Sequence, residues 1–340
     1  MTKRAAYVAD LDRALAQVVG LEKLEGATVL VAGATGLIGS FLVDMLSRHA
    51  AAGHDVRVVA VGRSLERLEA RFGGMPAVEL AAHDVSEPWD ALPAATHVIH
   101  AASKGDPASF AADPVGIMRA NFEGTRHALD FALAHGARLC YVSSGEVYGE
   151  FAEPQEELEE PQAGAGRFDI LSPRSCYPLS KRAAETLCAS HAAQFGTDFV
   201  VVRPSHTFGP GALASDSRAN AQFVRDALAG HDIVLRSAGT QVRSYTYVAD
   251  GASGILSALL AGTSGEAYNI AWHEARCSIA EFAREVAHQA GVGITVGEDP
   301  NPGSPISRQV LSSAKLEALG WKGSYSVAAG IAATLAGMRD

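Results

Sequence analysis

The sequence predicts an α/β fold, a doubly wound parallel sheet of the Rossmann type with a smaller C-terminal lobe. Strand-like and helix-like segments alternate from residue 28 to residue 203. The strand-like segments are apolar at almost every position, which is typical of parallel strands whose two faces are both covered by helices. A glycine-rich turn follows the first strand and opens the next helix, as expected at the edge of such a sheet.

The individual elements follow from the spacing of the apolar residues. Val8, Leu11 and Leu15 recur at helical spacing, so residues 5–19 are predicted to form an amphipathic helix packed on the main body. Continuous apolar runs predict strands, and helical periodicity between them predicts helices. In chain order these are a strand at 28–32, a helix at 37–50, a strand at 56–61, a helix at 65–72, a weaker strand at 77–81, a strand at 97–101, a helix at 114–135, a strand at 138–143, a helix at 177–195 and a strand at 198–203.

Beyond Arg203 the alternation loosens. Runs rich in glycine, proline and serine at residues 208–217 and 297–307 predict loops and a segmented lobe. We therefore expect three parts, which are an N-terminal helical extension at 1–26, a Rossmann domain at 27–204 and 240–275, and the smaller lobe at 205–239 and 276–338.

Composition and charge exclude several classes of protein. A net charge of −10 on 340 residues argues against a nucleic-acid binder, which needs a basic face. The longest apolar stretches are of strand size, and Asp10 and Asp12 interrupt the start of the chain where a signal peptide is apolar. The four cysteines are scattered without metal-ligand spacing. We expect a cytoplasmic protein with reduced thiols, no metal site and no membrane segment.

The run GATGLIG at residues 33–39 leaves the first predicted strand and opens the first predicted helix of the sheet. A pyrophosphate on a helix N-terminus needs backbone close to its oxygens, and side chains there would be in the way. Three glycines at this spacing are a weak signal alone. Their place at the first strand-to-helix turn makes them a strong indication of a dinucleotide site.

The end of the second predicted strand bears on the choice between NAD and NADP. A free ribose 2′-hydroxyl usually meets a carboxylate there. This chain has Arg63 and Ser64 instead, which suit a 2′-phosphate, although an arginine there could equally be a surface residue. NADP is therefore favoured slightly over NAD. Asp84 and Val85, after the third strand, are expected near the adenine.

Tyr177 and Lys181 lie one helical turn apart in the segment YPLSK. A tyrosine with a pKa near 10 is a poor base at neutral pH. A neighbouring ammonium and a positive nicotinamide favour the phenolate, which can then take a proton from an alcohol as hydride leaves. Ser143 and Ser144 end the preceding strand and supply a hydroxyl that orients the reacting alcohol.

Together these motifs resemble the extended short-chain dehydrogenase/reductase family of nucleotide-sugar epimerases, dehydratases and decarboxylases, over nearly all of residues 26–338. The resemblance implies an NAD(P)-dependent enzyme that acts on a nucleotide-diphosphate sugar bound by the smaller lobe. The matching segments are GATGLIG (33–39), HVIHAA (97–102), NFEGT (121–125), SSGEVYG (143–149), YPLSK (177–181), RP (203–204), FGPG (208–211), RSYTYVAD (243–250) and YNI (268–270).

The resemblance also implies roles for particular residues. Ser144, Tyr177 and Lys181 would form the catalytic triad, with Glu146 as an auxiliary acid/base. The expected cofactor contacts are Gly33, Thr35, Gly36, Leu37, Ile38, Gly39, Arg63, Ser64, Asp84, Val85, Ala101, Ala102, Ser103, Asn121, Ser143, Tyr177, Lys181 and Pro204. The expected substrate contacts are Lys104, Ser144, Gly145, Glu146, His206 and Arg243.

Two of the substrate contacts have alternatives. Arg243 would grip the diphosphate, since a guanidinium binds phosphate in bidentate fashion; otherwise it forms an interdomain salt bridge. His206 stands where the family usually has asparagine. It could make the same contact and add pH sensitivity, or it could be structural.

The family's reactions branch after a common 4-keto sugar, and Gly145 bears on the branch. The family's 4,6-dehydratases carry an Asp-Glu pair where this chain has Gly145-Glu146, so dehydration is disfavoured. UDP-glucuronate decarboxylases resemble the chain in EVYG (146–149) and PRSCY (173–177), but they usually carry Ser-Glu. A 4-epimerase needs only the tyrosine, the cofactor and room for the keto sugar to turn, and Gly145 removes bulk there.

The sequence therefore favours a 4-epimerase first, a decarboxylase second, and a dehydratase or a reductase after these. A non-catalytic cofactor-binding protein is the remote alternative. Glu146 has no clear use in a simple 4-epimerase. It would act at the sugar C5 or, as a buried carboxylate, cap neighbouring amides. Family resemblance further implies a homodimer formed through the helices at 114–135 and 177–195.

Overall fold

The computed structural model describes residues 5–297 and 306–339. In these residues the strands are β1 (Ala27–Ala32), β2 (Val56–Gly62), β3 (Val78–Ala82), β4 (His97–His100), β5 (Arg138–Val142), β6 (Phe199–Pro204), β7 (His206–Phe208), β8 (Ile233–Leu235), β9 (Val242–Tyr247), β10 (Ala267–Ile270), β11 (Arg276–Ser278), β12 (Ile294–Val296) and β13 (Arg308–Gln309). The α-helices are α1 (Ala5–Ala16), α2 (Leu37–Ala51), α3 (Leu65–Phe72), α4 (Pro107–Ala112), α5 (Pro114–His135), α6 (Cys176–Phe195), α7 (Ala219–Leu228), α8 (Val248–Ala261), α9 (Ile279–Ala290), α10 (Ala314–Glu317) and α11 (Val327–Arg339).

Seven parallel strands form the central sheet, in the order β10-β6-β5-β4-β1-β2-β3. The strand order reverses between β1 and β4, which is where an open α/β sheet leaves a crevice for ligands at its carboxyl edge. Ala32 at the end of β1 is paired with His100 at the end of β4. The glycine-rich turn after β1 therefore lies directly beside the residues that follow β4. The predicted α/β class is confirmed.

The central strands are apolar because both faces of the sheet are buried. All six residues of β1 are buried. Val29 and Val31 face one hydrophobic core, whereas Leu30 and Ala32 face the other. This alternation of successive side chains explains why Thr28 is the one polar residue of the strand.

Predicted and observed elements agree within one residue at both ends up to residue 204, except for the first helix and one omission. The first helix ends at Ala16 rather than at residue 19, because Val18, Val19 and Gly20 are poor helix formers and Gly20 takes a left-handed conformation (φ 81°). The sequence pattern gave no sign of α4. Its start is nevertheless marked by Asp106, which caps the helix, and by a proline at the first helical position.

The N-terminal helix α1 is tied to the main body by a buried carboxylate. Asp10 accepts a hydrogen bond of 2.6 Å from the Tyr247 hydroxyl and a second one from the Tyr325 hydroxyl. Tyr7 of the same helix donates to Asp44 of α2 at 2.6 Å. These contacts join α1 to the carboxyl end of β9, to α2 and to the segment before α11.

The smaller lobe is built on two further sheets. Strand β9 pairs with β7, β11 and β13, and β8 pairs with β12. The division into domains stays a prediction, but these pairings differ from it at one point. Residues 242–247 were expected in the Rossmann domain, and β9 instead forms the centre of the lobe's sheet, while α8 and β10 continue the Rossmann domain. Most of the predicted loop at 297–307 lies outside the described residues.

Among the described residues, no helix combines the length and the apolar character needed to cross a bilayer.

Candidate active site

A cleft of about 520 Å³ opens at the carboxyl edge of β1, β4, β5 and β6. The lobe closes its other side through β7, β9 and the start of α7. The cleft brings together residues from the glycine-rich turn, the serine pair, the start of α6 and the RSYTYVAD segment, all of which the sequence singled out. The lining residues used below are Gly33, Gly36, Gly39, Ala101, Ser103, Lys104, Ser143, Ser144, Gly145, Glu146, Arg174, Tyr177, Lys181, Pro204, His206, Arg218, Arg243, Gln309 and Leu311.

Two of the three glycines in the turn are required by the protein's own backbone. Gly33 has φ +88°, and a Cβ there would lie 2.8 Å from backbone atoms of Ala101 and Ala102. A Cβ on Gly39 would lie 2.2 Å from the Gly33 carbonyl oxygen. Gly36 differs, because it has φ −79° and its Cβ would meet nothing closer than 3.4 Å. The fold does not explain Gly36, but a pyrophosphate seated on the N-terminus of α2 does.

A second observation shows that the cleft suits a dinucleotide. The Ser143 hydroxyl is buried in the cleft wall, and no described residue hydrogen-bonds its oxygen. A buried hydroxyl without a partner carries a free-energy cost that a ligand can remove. Ser143, the Gly36 turn, Ala101 and Pro204 lie along one wall and would hold NAD there.

Tyr177 is positioned by an aromatic stack and a hydroxyl. The Phe110 ring stacks on the Tyr177 ring, with centroids 4.7 Å apart. Ser144 accepts a hydrogen bond of 3.1 Å from the Glu146 amide. Burial raises the pKa of Tyr177 to about 12, although the nearby Ser144 hydroxyl acts in the opposite direction. The phenol of the chain alone is therefore protonated at neutral pH, and it becomes a base only when positive charge is added beside it.

Lys181 is the buried cation of the site. Its Nζ donates to the Val142 carbonyl at 2.7 Å and lies 5.8 Å from the centre of the Tyr177 ring. Burial lowers the pKa of Lys181 to about 7, while the Glu185 carboxylate, one turn further along α6, opposes that effect. At neutral pH the Lys181 side chain is thus close to the midpoint between its charged and neutral forms, next to the tyrosine that it is expected to activate.

Glu146 neither caps amides nor stands free. Its Oε2 accepts a hydrogen bond of 2.8 Å from Nη2 of Arg174. The Ser144 hydroxyl caps the amide of Glu146 in its place. The alternative of a buried, amide-capping carboxylate is therefore wrong, and Glu146 faces the cleft as one half of an ion pair.

The room that Gly145 was expected to open is already filled. A Cβ at Gly145 would lie 3.1 Å from Cδ1 of Leu311 and 3.4 Å from the Pro204 carbonyl oxygen. Gln309 donates to the Gly145 carbonyl at 2.8 Å and holds this segment in place. Gly145 still lines the cleft, but the absence of its side chain makes room for Leu311, a residue distant in sequence; that it also leaves space for a sugar to turn stays a prediction.

Two arginines and His206 line the lobe side of the cleft. Arg243 donates to the carbonyls of Val242 (2.9 Å) and Ile306 (2.6 Å) and is buried. Arg218 is held by the Asp216 carboxylate at 2.6 Å. Burial, together with the charges of Arg243 and Arg218, lowers the pKa of His206 to about 3. This favours the neutral form of His206 in the protein without ligand, and the pH sensitivity considered for it stays a prediction.

Some predicted cofactor contacts lie elsewhere. Asn121 is fully buried between α5 and α6, where its amide donates to the Ser180 hydroxyl at 2.9 Å. It does not reach the cleft, so its role is to join these helices beneath the catalytic side chains. The Val85 side chain is likewise packed in the core, next to Trp89. The two side chains are thus packed away from the cleft, and a cofactor contact through the backbone of either residue stays a prediction.

The predicted adenosine end lies at the carboxyl ends of β2 and β3. Arg63 is exposed, and the Ser64 hydroxyl caps α3 by accepting from the Arg67 amide at 3.2 Å. The Asp84 carboxylate accepts from the amide and the hydroxyl of Ser86. Arg63 is thus available for a phosphate or for solvent. The slight preference for NADP that was inferred from Arg63 stays a prediction. The ligand contacts expected of Thr35, Leu37, Ile38, Ser103 and Lys104 also stay predictions.

Three motif residues that had no assigned role form one buried network behind the cleft. The Tyr148 hydroxyl donates to the Asn269 side-chain oxygen at 2.6 Å. Arg203 forms an ion pair of 2.7 Å with Glu185 and also donates to the Tyr148 hydroxyl at 3.3 Å. The Asn269 amide donates to the carbonyls of Leu158 and Ser312 at 2.9 and 3.1 Å. The network fixes the segment that carries Leu311 against the edge of the sheet.

Arg174 and Arg218 were missed as site residues. Arg174 belongs to the PRSCY segment, but the sequence carries no signal that this arginine would point into the cleft. Arg218 stands immediately before α7, and the sequence marks that place only as the end of a loop. Both depend on contacts between segments far apart in the chain.

The glycine turn generates a first prediction. Gly36→Ala should weaken NAD binding at least about tenfold, since the added methyl occupies the place of the pyrophosphate, and should barely change the melting temperature. Gly39→Ala should destabilise the fold instead, because its Cβ would overlap the Gly33 carbonyl. Titration calorimetry with NAD and thermal melts of both variants measure these effects. Normal NAD binding by Gly36→Ala would contradict the cofactor site.

Lys181 generates a second prediction. Between about pH 7 and 10 the unfolded chain holds a proton on this lysine that the folded chain has released, so stability falls as pH is lowered through that window. Lys181→Met should be inactive yet more stable than wild type by about 2–4 kcal/mol at pH 7. The gain should fade towards pH 10. Urea unfolding of cofactor-free protein measures the free energy of unfolding of each variant, with Lys322→Met at an exposed position as the control. A gain in stability that does not depend on pH would refute the lowered pKa of Lys181.

Comparison with known proteins agrees with this geometry. Residues 29–271 match the model of the NAD dependent epimerase/dehydratase family. UDP-glucuronic acid decarboxylase 1 of Xenopus tropicalis is 32% identical over 311 residues, which cover 89% of this chain and 70% of that protein. UDP-glucuronic acid decarboxylase 3 of Arabidopsis thaliana is 32% identical over 296 residues, which cover 86% of this chain and 84% of that protein.

A solved structure agrees as well. UDP-glucose 4-epimerase of Thermus thermophilus in complex with NAD is 28% identical, with a TM-score of 0.75 over 92% of this chain and 99% of that one. The family match covers the sheet from β1 to β10, and with it β1, β4, β5, β6, β7 and β9, which border the cleft. The resemblance seen in the sequence motifs is confirmed, and the chain belongs to the NAD dependent epimerase/dehydratase family.

Proposed function

We propose that the protein is an NAD-dependent decarboxylase of a UDP-hexuronate. The observation that carries the proposal is its similarity to UDP-glucuronic acid decarboxylases along 86–89% of the chain. Leu311 packs against Gly145, which weakens the argument from free space that had favoured a 4-epimerase. Decarboxylation was the second choice from the sequence and now takes first place.

NAD would lie on the Gly36 turn, with Ser143 and Lys181 beside its nicotinamide half. When bound, it would take a hydride from the sugar C4 and later return it, so the reaction needs no other oxidant. The family description and the NAD in the Thermus thermophilus enzyme support this choice. Arg63 still suits a 2′-phosphate, and both dinucleotides therefore belong in the assay.

Tyr177 would accept the proton of the C4 hydroxyl and give it back at the end of the reaction. Positive charge beside the phenol opposes the burial that raises its pKa. The C4 ketone places a carbonyl next to C5, which carries the carboxylate. Such a β-keto acid loses carbon dioxide when the C5–C6 bond breaks and its electron pair moves into an enolate. C5 then takes a proton, for which Glu146 is the neighbouring acid/base group.

The diphosphate would be held on the lobe side. Arg218 and Arg243 both line the cleft there, and together they lower the pKa of His206. A cleft with two fixed guanidinium groups attracts an anionic ligand even on a chain of net charge −10. A UDP sugar meets this requirement, and a neutral ketone does not.

The assay generates the third prediction. Protein supplied with NAD and UDP-glucuronate should release carbon dioxide and form a UDP-pentose, and mass spectrometry measures both products. Tyr177→Phe should lower turnover by about 10²–10⁴-fold while NAD binding stays nearly intact, because only the proton transfer is lost. Formation of UDP-galactose from UDP-glucose, without decarboxylation of UDP-glucuronate, would make the protein a 4-epimerase instead.

We also propose a homodimer that forms through α5 and α6. Val115, Met118 and Phe122 are 67%, 47% and 42% exposed. Their spacing places them on one face of α5, and exposed apolar side chains in a row favour a partner. Phe195, at the end of α6, adds a half-exposed ring. A second copy would cover this stripe with the same helices.

The dimer generates the fourth prediction. Wild-type protein should sediment as a dimer at micromolar concentration, and Phe122→Glu should shift it to monomer, since a carboxylate cannot be buried there without a partner. Leu65→Glu, at an exposed apolar position on α3, serves as control and should remain dimeric. A wild-type monomer would rule the dimer out.

A further inference from the structure

Arg174 is linked to Tyr177 through the Phe110 ring, which both side chains contact. Its guanidinium donates to Glu146 at 2.8 Å and lies 4.6 Å from the centre of the Phe110 ring. The same Phe110 ring stacks on Tyr177. Arg174 and Glu146 both line the cleft. The arginine is thus fixed next to the place where the sugar ring reacts.

The ion pair between Arg174 and Glu146 is not needed to hold the fold. The Arg174 side chain is 49% exposed and that of Glu146 is 26% exposed. Pairs in contact with water contribute little to stability. The hydrogen bond to Glu146 uses one of the five N–H donors of the guanidinium. Arg174 can therefore accept another carboxylate at low cost.

The other cations of the cleft are less suited to that task. Arg243 donates to two backbone carbonyls. Arg218 is engaged by Asp216, and Lys181 is bound to Val142. Lys104 is exposed on the loop that leads to α4. Among the described residues lining the cleft, Arg174 is the cation that combines contact with Glu146, closeness to Tyr177 and spare donors.

We propose that Arg174 exchanges partners during binding, leaving Glu146 for the carboxylate that a hexuronate carries on C5. The inference rests on the proposed function and names the residue that selects a uronate over a neutral hexose. Exchange places the guanidinium on the substrate carboxylate, which would otherwise enter the cleft without a cation beside it. Glu146, released from the ion pair, is then free to face C5.

Binding of two nucleotides tests the proposal, and this is the fifth prediction. Dissociation constants of UDP-glucuronate and UDP-glucose are measured by calorimetry on NAD-loaded protein. Arg174→Met should weaken the binding of UDP-glucuronate at least about tenfold, since a charge-assisted hydrogen bond is lost. The dissociation constant of UDP-glucose should stay within about twofold of the wild-type value. Arg174→Lys should restore part of the affinity. Arg48→Met, which removes an exposed arginine paired with Asp12 on α1, is the matched control and should change neither constant.

Glu146→Gln tests the exchange itself. It should tighten the binding of UDP-glucuronate several-fold, because residue 146 no longer competes for Arg174. Part of that gain in affinity should vanish when Glu146→Gln is combined with Arg174→Met. Equal weakening of both nucleotides by Arg174→Met would assign this arginine to the diphosphate and overturn the proposal, as would unchanged binding of both. Turnover is read separately: wild type that binds UDP-glucuronate through Arg174 but releases no carbon dioxide would refute the proposed reaction and leave the carboxylate site standing.

Discussion

The structure depends on the close contact of backbone at the point where the strand order reverses. The turn after β1 touches the chain after β4 so tightly that Gly33 has no space for a Cβ, and the turn is itself so tight that Gly39 has none either. This contact sets the N-terminus of α2 at the mouth of the crevice and leaves Gly36 facing it. Everything that would hold a dinucleotide, including the unpartnered Ser143 hydroxyl, is arranged around that contact. The free energy for it comes from the two apolar cores on either side of the sheet.

The catalytic residues balance burial against charge. Removal from water holds Tyr177 in its neutral form and brings Lys181 close to neutrality. Such groups cost stability in the resting protein, and they respond strongly to any charge that arrives beside them. A positively charged nicotinamide would therefore have a larger effect on this phenol than it would on an exposed one. The resting enzyme is in this sense incomplete without its cofactor.

The sheet could be predicted, and candidate catalytic residues could be located, because their signals are local. Apolar runs mark the strands, and the turn at Gly33–Gly39 and the Tyr177–Lys181 pair each lie within a single turn or helix. The sequence could not predict what depends on contacts between distant segments. Leu311 fills the space at Gly145, and Arg174 reaches Glu146 across the cleft mouth. Asn121 was misplaced because a motif match reports position in the chain but not which side of a helix is buried.

The packing of Leu311 against Gly145 couples two positions that are far apart in the chain. A Cβ at residue 145 would lie 3.1 Å from Cδ1 of Leu311, so the serine that UDP-glucuronate decarboxylases usually carry there requires this leucine to shift or to be replaced by a smaller residue. Arg203, Tyr148 and Asn269 hold the segment that carries the leucine. That serine is therefore introduced more easily together with a replacement of Leu311 than alone, and directed evolution of the enzyme should vary both positions in the same library.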